Sequence, residues 1–164
     1  HPDVHILDGG WSVWTAGGGA VTADRTAPRP GVFTPRPDPS KRATLDEVSH
    51  GLHGAVAFWD TRERREYDGA TPYLEPRGGH LPDAHHLWFH DLMQEDGTLR
   101  DRQELRAQLA RVGVPVDSPV IPYCTGGVRS GFAYAVLREL GSTTAANYDG
   151  SMWEWSAVPD RPLE

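Results

Sequence analysis

The sequence contains a single cysteine, Cys124, at the head of Cys124-Thr125-Gly126-Gly127-Val128-Arg129-Ser130. A thiol becomes a nucleophile where its surroundings favour the thiolate, and this segment carries several devices that do so. Gly126 and Gly127 allow the positive φ angles with which successive amide N–H groups converge on one anion. Arg129 adds a permanent positive charge. The hydroxyls of Thr125 and Ser130 can add hydrogen bonds, although a serine at the start of a helix also serves as a plain cap. The competing reading of an isolated cysteine is a small buried apolar residue with no chemistry.

Position separates the two readings. Val120 to Tyr123 reads as a strand, with Pro122 lacking the amide that a central ladder would use. Phe132, Val136 and Leu140, flanked by Ala133 and Leu137, mark an amphipathic helix that begins near Ser130 and stops at Gly141. Cys124 therefore lies between a strand and a helix N-terminus, the place where parallel sheets bind ligands and where the helix dipole favours an anion. Upstream, Thr44 and Glu47 form a capping box ahead of a helix over 44–51. Ala55 to Trp59 is a continuous apolar run that fits a buried parallel strand. Asp101 and Glu104 open a helix over 101–111 with Leu105, Leu109 and Val112 on one stripe. Strands alternating with helices predict an α/β domain, with a mostly parallel central sheet and helices on both faces.

The chain has 164 residues, enough for one domain with a core, and its composition of 38% hydrophobic and 24% charged residues is globular. One cysteine excludes an internal disulfide and a cysteine-rich metal site. A net charge of -7 argues against nucleic acid and anionic membrane surfaces as partners. No apolar run reaches the roughly 18 residues of a bilayer span, and no signal-peptide pattern opens the chain, so the expected location is cytoplasmic. The first residues, His1-Pro2-Asp3, lack a methionine, which is the expectation for a natural start lying further upstream.

Asp8-Gly9-Gly10-Trp11-Ser12-Val13-Trp14 resembles Asp149-Gly150-Ser151-Met152-Trp153-Glu154-Trp155, an internal repeat in which Asp, Gly and the last Trp coincide. The two segments then read as one element from two copies of a domain. Residues 1–20 would be the tail of a preceding copy, residues 21–42 a Pro/Gly-rich linker and residues 43–164 the compact domain. His80, His85, His86 and His90 lack metal-ligand spacing and read as surface and loop residues. Arg62 and Glu66 are expected to form a structural ion pair, with Asp60 beside them. Trp153 and Trp155 are expected to pack the terminal segment onto the domain.

Cysteine phosphatases place five residues between cysteine and arginine. Here Thr125 to Val128 make four, a tighter ring of amides that suits one sulfur atom on the cysteine. With this loop the chain resembles the rhodanese (thiosulfate sulfurtransferase) family. Asp60-Thr61-Arg62, Glu66-Tyr67-Asp68-Gly69, Gly79-His80-Leu81-Pro82-Asp83-Ala84 and Tyr148 to Trp155 are similar to further motifs of that family, so the resemblance covers nearly the whole chain. It implies a rhodanese-like three-layer fold, in the C-terminal catalytic domain of a tandem-domain member. It also implies a double displacement. The Cys124 thiolate would take the outer sulfur of thiosulfate or a similar anionic donor, and cyanide or a thiol would then remove it from the persulfide. The resemblance makes Thr125, Gly126, Gly127, Val128, Arg129 and Ser130 the substrate-binding residues and implies no metal or organic cofactor. A missing N-terminal copy would pack against the domain. The rival expectation is a non-catalytic rhodanese-like binding module. Two departures stand out. Asp83 replaces a glycine of the family pattern, and Glu66 occupies a position where some tandem members place a donor-contacting arginine, for which Arg64 or Arg65 are the nearby substitutes.

Overall fold

The computed structural model describes residues 4–164. Among the described residues, nine α-helices and β-strands carry the fold: α1 (Gly10–Ala16), α2 (Leu45–Gly51), β1 (Ala57–Asp60), α3 (Arg64–Tyr67), β2 (His85–His86), α4 (Arg102–Arg111), β3 (Val120–Tyr123), α5 (Val128–Glu139) and α6 (Ser151–Trp155). His1-Pro2-Asp3, where the predicted tail segment begins, lies outside the described residues.

The sheet is parallel with the order β2-β1-β3. β1 pairs with β3 from Ala57↔Val120 to Asp60↔Tyr123, and with β2 at Trp59↔His85. Beyond β3 the ladder continues through irregular chain, where Ala146 N donates to Val120 O and Tyr148 N to Pro122 O, both at 3.1 Å. Asn147 in turn exchanges hydrogen bonds with Lys41 and Ala43. A residue's N–H and C=O point to the same side of a strand, so the donor that Pro122 lacks would have faced Tyr148 and the pairing with β1 is intact.

Alternation along the strands splits the core into two layers. Trp59 and Val120 face a cluster built by Leu105 and Leu109 of α4 with Ala133, Val136 and Leu137 of α5. Phe58, Ile121 and Tyr123 face the other side, against Val48 of α2 and Met152 and Trp155 of α6. This is the predicted α/β three-layer arrangement, and it places the carboxyl ends of β1 and β3 side by side. Among the described residues no helix is long and apolar enough to cross a membrane.

Local chemistry sets the helix starts. Thr44 and Glu47 exchange the capping-box hydrogen bonds, and Asp101 caps α4 through the amides of Gln103 and Glu104. Strand β1 runs over 57–60 instead of 55–59, shifted toward its loop end. Helix α5 begins at Val128, two residues before the expected Ser130, because Gly127 at φ 87° turns the chain into the helix at once. His85 and His86 form a short strand, not loop; His80 stacks on Tyr67 with ring centroids 3.6 Å apart. Asp83 adopts φ 58°, the left-handed conformation a glycine would take and one that aspartate tolerates, so the turn survives the substitution.

The expected Arg62–Glu66 ion pair does not form. Arg62 folds back onto Asp60, with Nη2 2.6 Å from Oδ2, and its Nη2 also donates to Gly79 O at 2.8 Å. Both side chains are buried, so each charge is compensated where it sits. Glu66 turns instead toward the loop after β3.

Candidate active site

Cys124 follows β3 directly and is 1% exposed. Gly127 N donates to its Sγ at 3.2 Å, and Ser151 Oγ lies 3.9 Å from the same sulfur. Ser151 Oγ also accepts from Cys124 N at 3.0 Å and donates to Tyr148 O at 2.7 Å, which fixes the cysteine backbone to the start of α6. Ser151 holds this position at φ 51°, an unfavourable conformation for a residue with a side chain. Met152 N and Trp153 N donate to Cys124 O and Thr125 O, so α6 begins as a lid on the cysteine loop.

Burial works against the Cys124 thiolate and is the largest single influence on it. The amide and hydroxyl of Ser130, the amide of Gly126 and the charge of Arg129 together outweigh burial, and the thiol titrates below the usual cysteine range. Ser130 Oγ is fully buried and no other group engages it, which leaves it to the sulfur. The two glycines are sterically required. A Cβ on Gly126 would stand 2.5 Å from the Trp153 ring, and one on Gly127 would stand 2.7 Å from Asp149 O.

Arg129 is not a free guanidinium at the loop mouth. Its Nη1 donates to Glu66 Oε2 at 2.7 Å, and its Nη2 donates to Glu66 Oε1 at 2.8 Å and to Thr125 Oγ1 at 2.6 Å. Thr125 Oγ1 donates to Glu66 Oε1 at 3.0 Å, with Glu75 Oε1 at 3.3 Å. Burial pushes the Glu66 carboxyl up, but the bidentate arginine overrides it and the group titrates below its ordinary value. Burial likewise favours neutral Arg129, yet the Glu66 carboxylate holds it charged. Arg64 pairs with Asp68 and Arg65 with Glu63 on the surface, so neither nearby arginine reaches the loop.

The structure thus gathers Cys124, Thr125, Gly126, Gly127, Arg129 and Ser130 into one loop, while the Val128 side chain points to solvent. Glu66, Glu75 and Ser151 are parts of the same site that sequence reasoning did not assign to it. The internal repeat held a signal for one of them, since Ser151 aligns with Gly10, a residue also found at positive φ. Trp155 packs the terminal segment as expected. Trp153 does not, because it stays half exposed over Gly126.

Such a fold and site define an α/β domain with a low-pKa cysteine cradled by backbone amides at the carboxyl end of a parallel sheet. Residues 44–158 match the rhodanese-like domain, and the chain belongs to that family. It is 36% identical over 170 residues to a thiosulfate sulfurtransferase from Pseudomonas aeruginosa, covering all of this chain and 60% of that protein. It is 31% identical over 176 residues to the sulfur carrier protein TtuD of Thermus thermophilus, covering 99% and 62%. An anaerobic ergothioneine biosynthesis enzyme from Chlorobium limicola, solved with trimethyl histidine, superposes with a TM-score of 0.89 at 26% identity, over 99% of this chain and 41% of that one. The chain therefore spans about three fifths of the length of these curated relatives.

Proposed function

We propose that the chain is a sulfurtransferase that carries a sulfane sulfur on Cys124, moving it from thiosulfate or a similar donor to cyanide or a thiol. The observation that carries this reading is the held, depressed-pKa thiol of Cys124, with Gly127 N already donating to its sulfur. In the first step the thiolate attacks the outer sulfur of thiosulfate, the S–S bond breaks, and sulfite leaves with the bonding pair. The persulfide anion that remains is stabilised by the amides of Gly126, Gly127 and Ser130 and by the Ser130 hydroxyl, while the Thr125 hydroxyl, expected to join them, is committed to Glu66 and Arg129. Arg129 contributes its charge from a fixed position, partly cancelled by Glu66. A thiophile then takes the outer sulfur and returns Cys124 to the thiolate. The Val128 backbone spans the cradle between the glycines and Arg129. Names of relatives that include a thiosulfate sulfurtransferase and a sulfur carrier support this reading.

The reading extends to the layout of the chain. Residues 1–20 are the tail of a preceding rhodanese-like copy, residues 21–42 are a linker and residues 43–164 are the catalytic domain, with the preceding copy packing against it. Residues 17–38, between α1 and Pro39, have neither helix nor strand and are almost wholly exposed, as a linker would be.

The test is direct. Incubation with thiosulfate adds one sulfur atom to the intact mass, cyanide removes it as thiocyanate, and Cys124→Ser takes up none. Absence of an adduct from thiosulfate or inorganic polysulfide, with hydrolysis of an aryl phosphate in its place, would sink the reading.

A further inference from the structure

Soluble domains scatter single apolar side chains over their surface, but this domain does not. From residue 43 onward its exposed large apolar side chains are Tyr73, Leu74, Val128 and Trp153; Tyr73, Val128 and Trp153 stand at the cysteine loop, and Leu74 sits between Tyr73 and Glu75, both of which contact loop residues. Val128 lies within the loop and is 85% exposed. Trp153 covers Gly126 and donates from Nε1 to Tyr73 O at 3.0 Å, and the Tyr73 ring stands 5.4 Å from the Arg129 guanidinium carbon.

Leu74 is the least expected member. It is 90% exposed and sits at φ 65°, so the chain holds a bulky apolar residue in strained backbone and in water at once. The strain is enforced from below. Buried Glu75 accepts from Tyr73 N at 3.0 Å and approaches Thr125 Oγ1, which ties this turn to the cysteine loop. The rim is therefore pre-organised around the sulfur.

Charge narrows what the rim can receive. Arg129 is matched by Glu66, and Glu75 adds a second buried carboxylate beside it. Asp149, next to the loop, has Arg42 as partner. The loop amides can meet the charge of a small donor at the sulfur itself, but among these groups no unpaired cation stands at the rim to hold a charge on the body of an acceptor. With Cys124 only 1% exposed, the attacking sulfur must also enter on a slender arm.

Resting on the sulfurtransferase reading, we propose that the acceptor in the second half-reaction is a small uncharged organic thiol whose apolar body docks on Tyr73, Leu74, Val128 and Trp153. The acceptor thiol loses its proton and its sulfur attacks the outer sulfur of the Cys124 persulfide. The S–S bond breaks, its electron pair returns to Cys124 Sγ, and the product leaves as an organic hydropersulfide carrying the proton. No external oxidant or reductant takes part.

The experiment loads Cys124 with sulfur from thiosulfate or inorganic polysulfide, desalts the protein and follows its discharge by intact mass. Benzyl mercaptan and 2-mercaptoethanol are compared as probes, being uncharged and of nearly equal acidity. Benzyl mercaptan should discharge the persulfide about tenfold faster, the gain expected from covering one ring on an apolar rim. Leu74→Asn, a residue that tolerates the same backbone, and Val128→Ser, at a separate point of the rim, should each cut that ratio at least threefold. Equal rates in the unmodified protein, or a ratio unmoved by both substitutions, would overturn the proposal while leaving sulfur transfer itself intact. Faster discharge by an apolar cysteine-containing peptide than by either small thiol would assign the rim to a polypeptide and overturn it too. No sulfur adduct from either donor would remove the sulfurtransferase reading and the rim with it.

Discussion

The two copies of the Asp-Gly repeat make the same local structure and meet opposite fates. Gly10 and Ser151 both open a helix at positive φ, 57° and 51°. Each helix then clasps its last tryptophan the same way, Trp14 Nε1 donating to Ala20 O and Trp155 Nε1 to Pro162 O. Yet α1 has no buried residue, with Trp14 43% exposed, whereas Ser151, Met152 and Trp155 of α6 are buried against β3 and α2. Seven residues are thus enough to write the motif, and burial is decided by what stands next to it. At the helix start the copy beside Cys124 has serine in place of glycine, which costs backbone strain and fixes the cysteine.

The largest test of this contrast is the pair of tryptophans. Trp155→Ala should cost about 3–5 kcal/mol of unfolding free energy, the usual loss for a buried large aromatic. Trp14→Ala should change it by less than about 0.5 kcal/mol, as surface substitutions do. Denaturant unfolding followed by fluorescence distinguishes them, and equal losses would mean that α1 is packed after all.

A middle-sized effect comes from making α6 like α1. Ser151→Gly relieves the strained φ and removes the hydroxyl bonded to Cys124 N, so the two changes offset in stability. Chemistry should not be spared: sulfur loading should slow about tenfold, the worth of one positioning hydrogen bond. The pH profile gives the sharper readout. Thiolate, the reactive form, accumulates as pH rises through the thiol pKa, so in the unmodified protein the iodoacetamide rate should reach half its plateau at a lower pH than for the same thiol in the urea-unfolded chain. In Ser151→Gly that midpoint should move upward. A slower rate with an unmoved midpoint would reduce Ser151 to a structural role.

The smallest effect is the reciprocal change. Nothing stands within 4 Å of a Cβ on Gly10, so Gly10→Ser meets only backbone strain. Because α1 buries no residue, the global transition should shift by less than about 0.5 kcal/mol. A larger shift would show that the segment is part of the cooperative unit.

What could be read from residues alone follows the same division between local and distant causes. The capping box at Thr44, the N-cap at Asp101, the span of β3 and the cysteine loop are local patterns, and each appears where the spacing puts it, although Glu104 does not return the bond to Asp101. Helix α5 came two residues early because one αL glycine replaces a longer turn. The charge partners were misread because Arg62–Glu66 are close in sequence, whereas Glu66 and Arg129 lie on separate elements that only the parallel crossover brings together. Trp153 was misassigned for a related reason, since alternation around a five-residue helix leaves one tryptophan inward and one over the loop. Nothing local marks Leu74 as strained, because the buried Glu75 that enforces its turn acts through Thr125, fifty residues away.

The solitary thiol has a consequence for durability. Within these 164 residues Cys124 has no second sulfur to trap a sulfenic acid as a disulfide, so its repair calls on thiols from outside the domain. Under the proposed sulfur transfer, stored sulfur changes the exposure of the Cys124 sulfur. An oxidant meeting the loaded form strikes the outer sulfur first, and reductive cleavage of the S–S bond then restores an intact Cys124. Cargo is in this sense a sacrificial cap, and an enzyme kept charged should outlast an empty one under peroxide.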